Sequence, residues 1–233
     1  EIILPLGKKE QHCKLRFPNN VKVITLNSII YFYHALTCSV FITTNGGISY
    51  IPFKKKQIVI NTWHGGGAYK KMGLDVSDNK SLIKAIKIAE QKTDYFVSSN
   101  AYFSKVINSA FLIPQEKVLN FGLPRNDILF DTKNHSRIKD KVKKEFKVPI
   151  EHRVVLYTPT FRTLDGNIFG KHLLGPYNLD FNKVIETFEN RFGGKWLFAI
   201  RLHPSLVKTK IDLPGNIINM SYYDDPQELF IAV

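Results

Sequence analysis

The sequence predicts an α/β fold with parallel sheets, in which strands and helices alternate along the chain. Apolar runs of strand length, such as residues 21–26 and 95–98, alternate with segments of helical period, which is the pattern of βα units. At 233 residues with 44% hydrophobic content, the chain can bury a sizeable core in one large domain or two small ones. The lysine-rich segment 132–147 separates two βα series, so we expect a domain boundary near residues 135 to 150.

Helix starts are marked by capping residues. Residues 78–92 carry apolar side chains on one face and lysines on the other, which is typical of an amphipathic helix with Asp78 or Asn79 as its N-cap. Asp224, Asp225 and Pro226 are typical of another helix start. We predict strands at 21–26, 40–44, 57–61, 95–98, 118–121, 154–157, 196–200 and 217–220, and helices at about 28–38, 78–92, 101–110, 136–147 and 179–192.

The charge of the chain favours anionic partners. The 33 Lys and Arg against 20 Asp and Glu give a formal net charge of +13, which attracts anions before any specific contact forms. The lysines lie in several short clusters, such as 54–56 and 70–71, so a solvated basic face explains them equally well. Charge alone therefore leaves nucleotide, phosphopolymer, phospholipid and nucleic acid open.

Cysteine usage and apolar runs indicate a reducing compartment and no membrane span. Only Cys13 and Cys38 occur, without a CxxC pair or histidines at metal-ligand spacing, so we expect no metal site. The most apolar stretch, residues 29–42, is shorter than a bilayer span, and no signal-peptide pattern opens the chain. We expect peripheral membrane association at most, and the start at Glu1 suggests a fragment.

Polar residues collect in five short clusters, each directly after a predicted strand. In open α/β sheets, ligands bind beyond the carboxyl ends of the strands, where loops lead into helix N-termini. Guanidinium, imidazole and hydroxyl groups suit phosphate oxygens, although tight turns and structural histidines would explain any single cluster. Five clusters at equivalent positions favour a ligand site, and we expect one cleft lined by residues 61–67, 98–100, 122–127, 158–162 and 201–204.

The run of three glycines at residues 65–67 invites three motif readings, and the sequence excludes each one. A Walker P-loop needs Ser or Thr after its lysine, whereas Lys70 is followed by Lys71. The HGGG oxyanion loop of esterases needs a GxSxG elbow elsewhere, and none occurs. A dinucleotide-binding GxGxxG is also absent. The glycines still permit close backbone approach to a ligand.

Four motifs follow one another between about residue 40 and the C-terminus. They are Trp63-His64-Gly65 followed by Lys70, Gly122-Leu123-Pro124-Arg125-Asn126-Asp127, Tyr157-Thr158-Pro159-Thr160-Phe161-Arg162, and Arg201-Leu202-His203-Pro204. In order and spacing the chain resembles the CDP-glycerol glycerophosphotransferase family of teichoic acid and capsule polymerases and primases. It departs from the family in the first motif, where Gly66-Gly67-Ala68-Tyr69 replaces Thr-Pro-Leu before the lysine.

The resemblance implies a GT-B-like architecture of two Rossmann-like domains facing a cleft. Residues 1–140 would form an acceptor-side domain, and residues 141–233 the beginning of a donor-nucleotide-binding domain, with a further donor motif, Asp-Tyr-Ser-Ser, expected after Val233. The implied catalytic residues are His64, as general base, and His203. The implied donor-binding residues are Gly65, Gly66, Lys70, Arg125, Asn126, Asp127, Thr158, Thr160, Arg162 and Arg201.

The implied reaction moves glycerol phosphate, or a related polyol phosphate, from a CDP-linked donor to a hydroxyl of a cell-envelope polymer and releases CMP. We expect no cofactor and no metal ion. The expected partners are the CDP-polyol, a polyol-phosphate or lipid-linked glycan acceptor, and an anionic membrane surface, without nucleic acid; the expected location is cytoplasmic, peripheral on the inner face of the plasma membrane. A GT-B glycosyltransferase using a nucleotide sugar and a non-catalytic phosphopolymer-binding module remain open as alternatives.

Overall fold

The computed structural model describes residues 1–7, 17–69, 71–159, 179–203 and 215–233. It has the predicted alternation of strands and helices, and every strand pair among the described residues is parallel. The chain divides into two compact units, Glu1–Pro124 and Arg125–Val233. Their assignment to an acceptor side and a donor side stays a prediction.

The first unit contains two parallel sheets with helices between their strands. Its elements are β1 (Ile2–Leu6), β2 (Val21–Thr25), α1 (Ile29–Thr37), β3 (Val40–Thr43), β4 (Ile58–Asn61), α2 (Lys80–Lys92), β5 (Tyr95–Ser98), α3 (Ala101–Phe111) and β6 (Val118–Asn120). Strand β1 pairs with β2, and the four-stranded sheet has the order β3-β4-β5-β6. Because β4, β5 and β6 are neighbours, the loops after them leave the same edge of the sheet.

Capping side chains decide where the helices of the first unit begin. The Ser28 hydroxyl accepts the Tyr31 N–H at 3.1 Å at the start of α1. At the start of α2, the Asn79 side chain accepts the Ser81 N–H at 2.8 Å. Each bond satisfies one of the N–H groups that a helix start leaves without an intrahelical partner. For α2, the structure selects Asn79, which is the nearer to the helix of the two residues predicted for its cap.

The hydrophobic core of the first unit lies between sheet and helices. The rings of Phe96 on β5 and Phe103 on α3 are almost fully buried, and Ile107 packs with them. A second cluster joins β2, α1 and β4 through Tyr31, Val59 and their neighbours. Such packing is expected of alternating apolar runs, since each run buries one face against the next element.

The second unit is a three-stranded parallel sheet of order β7-β8-β9, with helices on it. Its elements are α4 (His135–Glu145), β7 (His152–Tyr157), α5 (Phe181–Phe192), β8 (Lys195–Ile200), β9 (Ile217–Asn219) and α6 (Pro226–Ala232). Asp225 caps α6 by accepting the Gln227 N–H at 2.8 Å, as predicted for this segment.

The division between the units lies earlier in the chain than the predicted residue 140. Val142 of α4 and Leu229 of α6 are buried in one hydrophobic cluster. The Lys141 ammonium also lies 2.7 Å from the Glu228 carboxylate of α6. Because α4 packs on the last helix of the second unit, the lysine-rich segment belongs to that unit and does not link the two.

One lysine of this segment is buried. Lys143 is 4% exposed, and its ammonium donates to the carbonyls of Ile150 and His152, each at 2.6 Å. Burial lowers the pKa of this ammonium, and the two carbonyls accept hydrogen bonds from two of its three N–H groups. The explanation of the lysines as a solvated face therefore fails at this position, where the side chain ties α4 to the start of β7.

Candidate functional site

The loop after β4 turns sharply at Trp63. The Asn61 side chain is 3% exposed, and its Oδ1 accepts the Trp63 N–H at 2.8 Å. Trp63 has φ of 54°, in the left-handed region, which bulky residues seldom adopt and which is often found where a loop serves a function. The Asn61 side chain, at the end of β4, thus stabilises the left-handed backbone at Trp63, the residue before His64.

Aromatic rings form a platform for the His64 imidazole. The imidazole stacks on the Trp63 ring with centroids 4.3 Å apart and planes inclined by 29°. The Trp63 ring in turn lies 4.7 Å from the ring of Phe111 and 6.0 Å from that of Phe96. A cavity of about 320 Å³, lined mainly by apolar side chains, lies beside this ring. The platform restricts the imidazole plane while leaving His64 exposed.

A backbone carbonyl sets the tautomer of His64. The Nδ1 atom of its ring lies 2.9 Å from the carbonyl oxygen of Thr44, which follows β3. A carbonyl oxygen can only accept a hydrogen bond, so Nδ1 carries the proton in the neutral ring. Nε2 is then left with its lone pair and can take a proton from a ligand.

The glycine loop contacts the loop after β5. The carbonyl oxygen of Gly66 accepts a short hydrogen bond from the Ser99 hydroxyl and one of 3.3 Å from Nδ2 of Asn100. A Cβ atom at Gly66 would lie 2.7 Å from Ser99 Oγ and 3.1 Å from Leu123 Cδ1, whereas one at Gly65 would meet nothing within 4 Å. The structure therefore brings together residues of three predicted clusters within the first unit.

The third cluster continues into a 3-10 turn over Pro124–Leu129. Gly122, with φ of 97°, donates its N–H to the Ser98 carbonyl at 3.0 Å. In the second unit, Arg125 and Asp127 are exposed, and the Asn126 carboxamide oxygen accepts a hydrogen bond of 3.3 Å from Gln227. Two of the three predicted donor-binding residues here thus present exposed side chains, while Asn126 is held by α6.

Arg201 lies directly after β8 and has a buried side-chain donor. Its Nη2 donates to the Tyr223 carbonyl at 3.2 Å, while its buried Nε has no partner among the described residues. Burial lowers the pKa of this guanidinium, and the carboxylates of Asp225 and Asp224 oppose that effect. A buried donor without a partner costs free energy, so this N–H is suited to an anionic ligand.

The other predicted site residues that the structure describes, Thr158 and His203, follow the strand ends of the second unit. The Leu202 N–H donates to the Ser221 hydroxyl at 3.0 Å, which holds the backbone between Arg201 and His203. Thr158 is exposed directly after β7, the neighbour of β8. Thr158, Arg201 and His203 therefore leave the same edge of this sheet.

Three predicted residues lie outside the described residues, namely Lys70, Thr160 and Arg162. The prediction that all five clusters line one cleft involves residues of both units and stays a prediction. Sequence reasoning missed Thr44, which acts through its carbonyl and so shows no side-chain signal. In the described ranges, no group of three or more His, Cys, Asp or Glu side chains is placed to hold a metal ion. Nor does any helix there have the length and apolar character to cross a membrane.

The chain is similar to proteins of teichoic acid synthesis. A family described as CDP-Glycerol:Poly(glycerophosphate) glycerophosphotransferase matches residues 7–233. The teichoic acid glycerol-phosphate transferase of Staphylococcus aureus (strain NCTC 8325 / PS 47) is 27% identical, over 97% of this chain and 58% of that protein. The chain thus spans little more than half the length of this relative.

Solved structures of the wall teichoic acid polymerase TagF have the same fold. One matches with a TM-score of 0.76 at 25% identity, covering 99% of this chain and 56% of TagF. A TagF variant soaked with CDPG for 15 minutes matches with a TM-score of 0.75 at 22% identity, covering 99% and 55%. The likeness confirms the predicted GT-B-like α/β fold class.

Proposed function

This chain belongs to the CDP-glycerol:poly(glycerophosphate) glycerophosphotransferase family, and we propose on that premise that the protein transfers glycerol phosphate from CDP-glycerol to a hydroxyl of a teichoic acid polymer. The resemblance that the four motifs carry is thereby confirmed. The relatives are teichoic acid transferases and polymerases, and a TagF variant was soaked with CDPG, which supports both the acceptor class and the donor.

The proposed step is a substitution at phosphorus. The oxygen of the acceptor hydroxyl attacks the β-phosphorus of CDP-glycerol and forms a new O–P bond. The bond from that phosphorus to the bridging oxygen breaks, and CMP leaves with the electron pair on that oxygen. The hydroxyl proton passes to Nε2 of His64. Phosphoryl transfer of this kind depends mainly on positioning and on stabilising charge at the phosphoryl oxygens.

The observation that carries the proposal is the 2.9 Å contact between Nδ1 of His64 and the Thr44 carbonyl oxygen. The Thr44 carbonyl keeps the proton on Nδ1, so Nε2 is unprotonated in the neutral ring and can act as general base. Stacking on Trp63 holds the plane of the imidazole. A base needs both a free lone pair and a defined direction, and the two contacts supply them.

The donor pyrophosphate is assigned to the strand ends of the second unit. Arg201 has a buried Nε–H without a partner in the described part of the chain, and a guanidinium binds phosphate oxygens through planar paired hydrogen bonds. His203 follows it along the chain, and Thr158 leaves the neighbouring strand. We assign these three side chains, with Arg162 and Thr160, to the donor phosphates.

Substituting the two histidines separately tests the assignment in the complete protein. His64→Ala should lower turnover by about 10²-fold or more and leave donor affinity nearly unchanged, since a general base acts on the chemical step. His203→Ala should weaken both CDP-glycerol binding and turnover, because a contact to the pyrophosphate acts in ground and transition states alike.

Turnover is followed as CMP release and donor binding by calorimetry. His34→Ala is the matched control, because His34 lies on α1 and its ring contacts Tyr33. Turnover close to wild type in His64→Ala would rule out the base assignment. Mass spectrometry of products from a panel of CDP-polyols identifies the polyol, and release of UDP from a UDP-sugar instead would favour the glycosyltransferase alternative.

Anionic lipid is the second partner that we propose. The support is the net charge of +13 together with exposed lysine clusters such as residues 54–56, which attract anionic surfaces in a salt-dependent way. Flotation with anionic vesicles should retain the protein at low salt and release it at high salt. Equal flotation with neutral vesicles would remove electrostatics as the cause.

A further inference from the structure

Two side chains that follow β5 donate hydrogen bonds to the carbonyl of Gly66. The Ser99 hydroxyl donates a short hydrogen bond to this oxygen, and Nδ2 of Asn100 donates to it at 3.3 Å. Nδ2 of Asn100 also lies 3.0 Å from Ser99 Oγ. One backbone oxygen of the glycine loop thus has two side-chain donors more than 30 residues away along the chain.

Ser99 and Asn100, the two donors to the Gly66 carbonyl, lie between the end of β5 and the start of α3. The Asn100 carboxamide oxygen caps α3 by accepting the Phe103 N–H at 2.8 Å, so the same side chain serves the helix and the glycine loop. The hydroxyl of Ser104 donates to the Asn100 carbonyl at 3.0 Å and lies 2.9 Å from the buried Ser98 hydroxyl. The donors are therefore fixed by the end of β5 and the first turn of α3.

The two hydrogen bonds to the Gly66 carbonyl orient the loop that carries His64. In a trans peptide the carbonyl and the following N–H point in opposite directions, so the Gly67 N–H points away from Ser99. His64 is two residues before Gly66, and its ring is held at the opposite end by the Thr44 carbonyl. The segment from His64 to Gly66 follows β4 and is therefore attached at both ends to residues that follow β3 and β5, the two strands that flank β4 in the sheet.

We infer that Ser99 and Asn100 are positioning residues for His64, acting through the Gly66 carbonyl. The expected effect of this positioning on catalysis rests on the proposed function, whereas its effect on the conformation of the glycine loop does not. Without the two donors, the glycine loop gains freedom and the imidazole loses its defined direction. Misplacing a catalytic group by about 1 Å can cost about 10²-fold in rate, so the expected effect falls on kcat and leaves the KM for the CDP-linked donor nearly unchanged.

Asn100→Asp separates the two roles of Asn100. The aspartate keeps an oxygen for the Phe103 N–H and remains a good N-cap, but it replaces the donor facing Gly66 with an acceptor. We expect α3 to keep its stability while kcat falls by at least about tenfold. Asn79→Asp is the matched control, because Asn79 caps α2 in the same way and its side-chain oxygen accepts from the Ser81 and Leu82 N–H groups of that helix.

Ser99 offers a second, conservative pair of variants. Ser99→Ala removes the hydroxyl donor and should lower kcat, whereas Ser99→Thr retains the hydroxyl and should restore most of it. Circular dichroism should show both variants fully folded under the assay conditions, because a loss of folded protein would also lower the apparent kcat with an unchanged KM. Equal kcat in wild type, Ser99→Ala and Asn100→Asp would overturn the inference.

A readout independent of activity uses Trp63. The chain has two tryptophans, Trp63 and Trp196, so a Trp196→Phe background leaves Trp63 as the single fluorophore when no tryptophan lies elsewhere in the protein tested. Acrylamide quenching of Trp63 should increase in Asn100→Asp and stay at the background level in Asn79→Asp. Increased quenching in a protein that releases no CMP from CDP-glycerol would retain the positioning role and reject the proposed function. Unchanged quenching would reject the positioning role whatever the activity.

Discussion

Gly66 and Gly65 are adjacent glycines for which the structure predicts opposite responses to alanine. A Cβ at Gly66 would lie 2.7 Å from Oγ and 2.9 Å from Cβ of Ser99, and 3.1 Å from Cδ1 of Leu123. Rotating the Ser99 hydroxyl away would break its hydrogen bond to the Gly66 carbonyl, and the Ser99 Cβ cannot rotate away. At Gly65 the added methyl group would meet nothing within 4 Å.

The magnitudes follow from these distances. Overpacking of this kind costs about 1–3 kcal/mol, and the loss of unfolded-state entropy on replacing glycine by alanine returns about 0.4–1 kcal/mol. We therefore expect Gly66→Ala to lower the free energy of unfolding of the first unit by roughly 1–2 kcal/mol. Gly65→Ala should leave it unchanged or raise it by up to about 1 kcal/mol.

Urea unfolding followed by Trp63 emission in the Trp196→Phe background measures both values in the first unit. Adding Ser99→Gly to Gly66→Ala removes the two closest atoms and should recover part of the lost stability, since only the Leu123 contact remains. This non-additivity is expected for residues in contact. Equal stability of Gly66→Ala and Gly65→Ala would refute the assigned contact between the two loops.

Three further predictions concern the second unit. Burial raises the pKa of Glu228, but hydrogen bonds from Lys141 and Tyr223 outweigh this effect and hold the pKa below its ordinary value of 4.5. The ionised carboxylate therefore stabilises the folded state above pH 4.5, and this stabilisation is lost as the pH falls through the lower folded-state pKa. Glu228→Gln should therefore lose about 1 kcal/mol at neutral pH, and urea titrations should show it converging with wild type on acidification; a pH-independent difference would contradict this. Lys143→Met leaves two carbonyls without their donor and should cost roughly 2 kcal/mol or more in urea unfolding followed by the emission of Trp196 on β8, whereas a change at the exposed Lys139 or Lys144 of α4 should cost little. Asp225→Ala should lower the free energy of unfolding by about 1 kcal/mol through loss of the α6 cap, and an unchanged value would show that the cap contributes nothing.

Much of the fold follows from local pattern. The amphipathic period of α2, its Asn79 cap and the apolar run of β5 are each readable within about a dozen residues, because side-chain alternation and capping act locally. Strand β1 was not predicted. Pro5 lies within it, and proline in a sequence usually argues against a strand. It is accommodated here in a strand with a single described partner, β2.

The sequence by itself also determined the family, since motif order and spacing are properties of the chain alone. What only the tertiary structure decided is how the site is held. The contacts of Thr44 with His64 and of Asn100 with Gly66 join a side chain to a backbone oxygen that lies 20 and 34 residues away. Every residue carries such an oxygen, so no sequence pattern marks the one that is used. The burial of Lys143 has the same origin, because a lysine in a basic segment becomes a structural donor only where folding places carbonyls around its ammonium.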